Sequence, residues 1–202
     1  MVKKVIFLLV TLAIVSSYSA SFGTSFETMT ENESATFLAE NDIIKDYGND
    51  WEKYRYQDGL TRGEGLKIFM KISGKKIEDK CDGIFSDLKS GWQCKYVEAA
   101  LRNGFISKND KFRPNDNFTK TEVAKLITKV KGVEKVVETD NWQNDYMLTL
   151  YEYGIIKNKY TDYNADAKRG WIFQIATSTI KKEEEIKKIQ VEKKKTMSDE
   201  TM

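Results

Sequence analysis

The sequence predicts a mainly α-helical protein built from three helix–turn–loop–helix units. Three observations lead there. Apolar residues recur at helical spacing in several short segments. Capping signals bracket those segments. The same order of elements returns about every 50–60 residues, and three such units are enough to bury a shared core.

The clearest unit covers residues 81–135. It starts with Phe85-Ser-Asp87 and Trp92. In Tyr96-Val-Glu-Ala-Ala-Leu101, Tyr96, Val97, Ala100 and Leu101 share one helical face. Asn103-Gly104 closes that helix, because glycine accepts the left-handed conformation of a C-cap. Phe105-Ile106 reads as a short apolar strand or turn, and a polar loop follows with Phe112 and Pro114, the only proline. Thr119 and Glu122 have the spacing of a capping box. Val123, Ala124, Leu126, Ile127 and Val130 then make an apolar stripe, and Gly132 ends the helix.

A more degraded version precedes it in residues 36–80, with Leu60-Thr-Arg-Gly-Glu64 opening a helix through Leu66, Ile68, Phe69 and Ile72. Another follows in residues 136–181. There Trp142 leads a helix, Tyr153-Gly154-Ile155-Ile156 makes the turn, and Lys168-Arg169-Gly170-Trp171 opens the last apolar helix. Residues 21–35 read as a linker. Residues 182–202 read as a charged tail that extends the last helix or frays, with Ile186, Ile189 and Val191 too few for a core-facing stripe.

The ordered set Phe85-Ser-Asp87, Trp92, Gly104-Phe105-Ile106, Phe112-Arg-Pro114 and Thr119-Lys-Thr-Glu122 closely resembles an S-layer homology (SLH) motif. The flanking units keep parts of it: Thr61-Arg-Gly-Glu64 in the first, Trp142, Gly154-Ile155 and Arg169 in the third. The resemblance implies three repeats packed as a pseudo-threefold bundle. It also implies a secreted protein of the cell surface or cell wall, anchored noncovalently to acidic or pyruvylated cell-wall polysaccharide in grooves between repeats. It implies no catalysis and no cofactor.

The family's Arg position, at the start of each second helix, is occupied by Arg62, Lys120 and Arg169. A guanidinium holds a carboxylate by two parallel hydrogen bonds, whereas an ammonium is a point charge, so the Lys120 site is expected to be the weaker. Helix-start N–H groups favour an anion there as well. Each cation also has an ordinary reading, as a solvated charge or the partner of a nearby Glu. Trp92 and Trp142 are candidates for stacking on sugar, but large aromatic residues are mostly well buried, which favours the core for both. The competing functional class is a structural or protein-interaction subunit that reuses the repeats to meet other surface proteins without binding glycan.

Composition narrows the field. A net charge of +2 lacks the basic excess of a nucleic-acid binder, and the absence of His excludes His-based catalysis and metal binding. Asp162, Asn164 and Asp166 begin like a calcium loop, but Ala167 stands where Gly is required and Phe173 where a bidentate Glu is required. Cys81 and Cys94, the only cysteines, pair as a disulfide in an exported chain and otherwise stay as two buried thiols.

Export itself is read from residues 1–20. Lys3-Lys4 precedes an apolar run from Val5 to Val15, and Ser16, Ser17, Ser19 and Ala20 supply small residues for cleavage. The run is short for a membrane span, and no other stretch is apolar enough to be one. An uncleaved anchor is the alternative. The mature protein is therefore expected to lack about the first twenty residues. Intact-mass measurement of surface-extracted protein checks this; a mass that still includes Met1 to Val15 rejects cleavage.

Overall fold

The computed structural model describes residues 29–159 and 161–199, so the predicted signal segment and most of the linker lie outside the described residues. The protein is mainly helical. Its helices are α1 (Glu31–Glu40), α2 (Arg62–Ile72), α3 (Trp92–Arg102), α4 (Lys120–Lys131), α5 (Trp142–Glu152), α6 (Arg169–Lys181) and α7 (Glu183–Asp199), with a 3₁₀ turn at Trp51–Tyr54. Among the described residues β pairing is limited to isolated bridges.

Local chemistry sets the helix ends. Thr30, Thr61 and Thr119 each accept a hydrogen bond from the third helical N–H, and the carboxylates of Glu33, Glu64 and Glu122 each accept one from the N–H of the cap residue. The box at Thr30 starts α1 at Glu31, so the expected linker ends earlier than residue 35 and its Ser34 and Ala35 are buried. Gly132 caps α4 in the left-handed conformation at φ 60°, and Asn103 caps α3 with Gly104 following at φ 72°.

Packing is cyclic. The helix pairs in closest contact are α2 with α3, α4 with α5, and α6 with α1. Each helix that leads a unit thus lies on the second helix of the unit before it, and the first unit closes onto the last. Contacts of α2 with both α4 and α6 fill the centre, around Leu60, Leu66, Val123, Ile127, Ile172 and Ile175, all essentially inaccessible to solvent. Burying each such side chain stabilises the fold by about 1.5–3 kcal/mol.

The backbone makes the same cycle. Leu60 N–H donates to Ala167 O (3.2 Å), Phe118 N–H to Leu60 O (3.0 Å) and Ala167 N–H to Phe118 O (2.8 Å). One residue further, the bridges run Thr61 to Asn117, Thr119 to Asp166 and Lys168 to Gly59. The segments pass so close to one another that Gly65 has no room for a β-carbon against the Phe118 ring.

The charged tail is helical, one of its two expected courses, but it differs from expectation in packing: α7 buries Ile186 and Ile189 while Val191 stays exposed. Lys131 pairs with Glu183 at 3.1 Å and Gln190 Nε2 donates to Gly132 O at 2.8 Å, which ties the tail to the end of α4.

Cys81 and Cys94 form a disulfide with Cα atoms 5.4 Å apart. It pins the loop before α3 to that helix. The fully buried Glu98 continues the clamp, accepting the Asp82 and Ile84 N–H groups at 2.8 and 3.0 Å. A loop of this length contributes about 3 kcal/mol on the chain-entropy estimate.

Asp87 fixes the loop before α4 in turn. Its carboxylate accepts the N–H groups of Phe112 (2.9 Å) and Arg113 (2.7 Å), and Arg113 adopts φ 60°, a left-handed conformation that favours glycine. Burial opposes ionisation of Asp87, but the N–H groups of Phe112 and Arg113, its own N–H and the Lys111 charge together outweigh it and hold its pKa below the ordinary 3.8. A depressed carboxyl pKa contributes stability that is full above the unfolded value and lost as pH falls through the folded one. Asp87→Ala should therefore cost about 1 kcal/mol near neutral pH, the side chain being substantially solvated. Wild-type and variant melting temperatures should converge in acid, below pH 3.8. A gap that stays constant from neutral pH into acid rejects this role for the charge.

Candidate functional site

The ring of backbone bonds brings the starts of α2, α4 and α6 together, and with them Arg62, Lys120 and Arg169. Their own N–H groups are already used. Arg62 N–H donates to Asp116 O (2.8 Å), Lys120 N–H to Ala165 O (3.0 Å) and Arg169 N–H to Asp58 O (2.9 Å); Gly63 and Gly170 N–H groups donate to Pro114 and Tyr56 carbonyls. The expected helix-start anion site is thus corrected: these donors stitch neighbouring units together.

The two guanidinium groups also reach across. Arg62 Nε donates to Phe112 O at 3.0 Å and Nη1 pairs with Glu122 at 2.5 Å. The group lies 4.9 and 5.0 Å from the Phe112 and Phe118 ring centroids. Arg169 repeats the pattern, with Nε to Tyr54 O at 3.0 Å and Nη1 to Glu64 at 3.2 Å. Their side chains are only 15% and 19% exposed. Neither is the solvated surface charge of the ordinary reading; each is paired with a Glu of the next unit, and that Glu is also the acid of a capping box. The corresponding place in α6 holds Trp171, and the Lys120 ammonium lies 5.8 Å from its ring centroid. An Arg–Glu pair at two interfaces becomes a cation–π contact at the third.

Outside these pairs lie two grooves of matching construction. One, of about 340 Å³, is lined by Arg62, Glu122, Lys125, Lys129, Phe112 and Trp142. The other, of about 210 Å³, is lined by Arg169, Glu64, Lys67, Lys45, Tyr47 and Trp92. Trp92 and Trp142 are 50% and 43% exposed, which overturns the core placement favoured for both. Each indole is the first residue of its helix, set on the rim, with a Tyr one turn on meeting it edge-to-face. Lys67 Nζ lies 5.3 Å from the Trp92 ring centroid and Lys125 Nζ 5.1 Å from that of Trp142.

Burial lowers the pKa of Lys67, helped by Lys71 and Lys95 and opposed by Glu64. It likewise lowers that of Lys125, helped by Lys129 and Lys135 and opposed by Glu122. The structure therefore joins Arg62 with Trp142 and Arg169 with Trp92, and leaves Lys120 apart from both grooves. The sequence reading missed Lys67 and Lys125. Their signal was present: each follows the capping-box Glu by three residues, in Glu64-x-x-Lys67 and Glu122-x-x-Lys125. Cys81, Cys94 and Glu98 are the one cluster of metal-ligand type among the described residues, and its sulfurs are bonded to each other.

Residues 84–124, which span α3, the Asp87-pinned loop and the start of α4, match the family model of the S-layer homology domain. No curated protein matches the chain. Such domains are binding domains of the cell surface, associated with attachment to the cell wall and not with catalysis. Among the described residues no helix is long and apolar enough to cross a membrane.

The Arg62–Glu122 pair is expected to hold two units together. Arg62→Ala should destabilise the fold by about 1–3 kcal/mol, because it leaves a part-buried carboxylate unpaired. Combined with Glu122→Gln, which keeps the cap acceptor, the loss should be clearly less than additive. Thermal melts of the two single variants and the double variant measure this; an Arg62→Ala variant as stable as wild type shows the pair to be idle.

Proposed function

We propose that this protein, which carries an S-layer homology domain at residues 84–124, attaches an exported chain to acidic or pyruvylated cell-wall polysaccharide. In this reading residues 36–80 and 136–181 are two further repeats, and the three form a pseudo-threefold bundle that the cyclic hydrogen bonds support. The observation that carries the proposal is the recurrence of one constellation in two grooves. Each has an exposed indole on the rim, an ammonium over that ring, and a tethered Arg–Glu pair as floor.

The constellation suits a charged sugar. The indole offers a flat apolar face for a pyranose ring. The cations around it give each groove a positive field that favours a carboxylate. Among the described residues Glu122 is the acid lining one groove and Glu64 the acid lining the other, and each is neutralised by its arginine, so the net field stays positive.

Purified protein should sediment with purified cell walls. Binding should weaken as salt rises, because the groove cations are open to screening. It should disappear when the acid-labile polysaccharide is stripped from the walls by mild acid. Sedimentation that survives stripping would instead favour a protein partner on the wall, and with it the structural-subunit reading.

A further inference from the structure

The wall-polysaccharide reading leaves open which atoms take the acidic group. We infer that Lys67 and Lys125, not the family-position residues Arg62 and Arg169, hold the carboxylate of the sugar, and that the chain has two such grooves rather than three.

The arginines are held in place by the neighbouring unit. Each spends Nε on a carbonyl and Nη1 on a glutamate of the neighbouring unit. Turning either towards a ligand breaks bonds between units and leaves a glutamate uncompensated beside the incoming anion. The lysines have the opposite status. Among the described residues neither ammonium has a carboxylate within ion-pair distance; each faces an indole. Both are part-buried among like charges, Lys67 near Lys71 and Lys95, Lys125 near Lys129 and Lys135. A cation so placed is under-compensated, and a bound carboxylate relieves it. Its position over the indole puts the charge beside the surface on which a sugar ring stacks, so one ligand satisfies both.

The third position lacks every part of this arrangement. The residue of α6 that corresponds to Lys67 and Lys125 is Gln174, whose Nε2 donates to Met29 O at 3.0 Å. Where Trp92 and Trp142 open their helices, α1 opens with Glu31. That carboxylate presses on Gly170 so closely that a β-carbon would not fit. An acid replaces the rim aromatic and a neutral amide replaces the cation, so an anionic sugar meets repulsion there.

The test uses the full mature chain and two probes: the acidic polysaccharide purified from the wall, and the same polymer with its carboxyl groups chemically reduced. Affinity is measured for wild type, Lys67→Met, Lys125→Met and the double variant. Methionine keeps the apolar stem, and melting temperatures control for folding. In each single variant the altered groove should weaken by about 10- to 100-fold for the acidic polymer, the range for one charge-assisted contact, while the intact groove still binds, so the number of tight sites falls by half. The double variant should bind it no better than wild type binds the reduced polymer. A folded double variant with wild-type affinity for the acidic polymer rejects the lysine assignment and leaves wall binding standing. So does wild type that binds both polymers equally. Wild type that binds neither overturns the wall-binding reading itself, and the inference with it.

Discussion

Three backbone hydrogen bonds, linking Leu60, Phe118 and Ala167 in a closed ring, position the rest of the molecule. Each of these residues directly precedes a helix N-cap, so the ring fixes where α2, α4 and α6 begin and which way they run. The three residues are themselves buried and apolar, and an unpaired N–H there would cost about 1–3 kcal/mol. Because the bonds are made by backbone, the ring tolerates Leu, Phe or Ala at its corners. Because each member both donates and accepts, no two units can satisfy it without the third.

The ring also explains the arginines. A side chain at the first helical position next to it can reach only the neighbouring unit, and it meets there the glutamate of that unit's capping box. One Glu oxygen accepts from its own cap and the other from the foreign guanidinium. Helix initiation and interface are therefore coupled through a single carboxylate. The same coupling leaves the groove lysines one turn further along without such a partner.

Much of this was legible in the sequence, and the limits were physical. Capping boxes at Thr61 and Thr119, the Gly132 stop and the helical stripes are local, so spacing alone located α2, α4 and their neighbours. The α1 boundary was missed although Thr30 and Glu33 also form a box, because the apolar pattern behind it is weak. The tail was undervalued for a different reason. Ile186 and Ile189 are both buried, but two residues do not make a stripe. The indoles were misplaced because burial by residue type says nothing about a helix start that projects over a groove. The arginine positions were found, but their partners are 60 and 105 residues away, a relation that no local pattern reveals.

The third interface separates the atoms that close the fold from the atoms that line the grooves. Lys120 and Trp171 stand where Arg and Glu stand elsewhere, and a cation–π contact takes the place of an ion pair. Replacing Arg alone would have left a carboxylate without its cation, and replacing Glu alone a guanidinium without its anion; the two changes together leave neither. The backbone bonds of this interface persist, with Lys120 N–H on Ala165 O and Ala167 N–H on Phe118 O. So an Arg–Glu pair at two interfaces and a Lys–Trp contact at the third are all compatible with closure, since closure depends on main-chain groups. A groove depends instead on what extends beyond that closure: a rim aromatic on one helix and a cation on the next. Gln174 and Glu31 supply neither, so the third unit can complete the bundle without completing a groove.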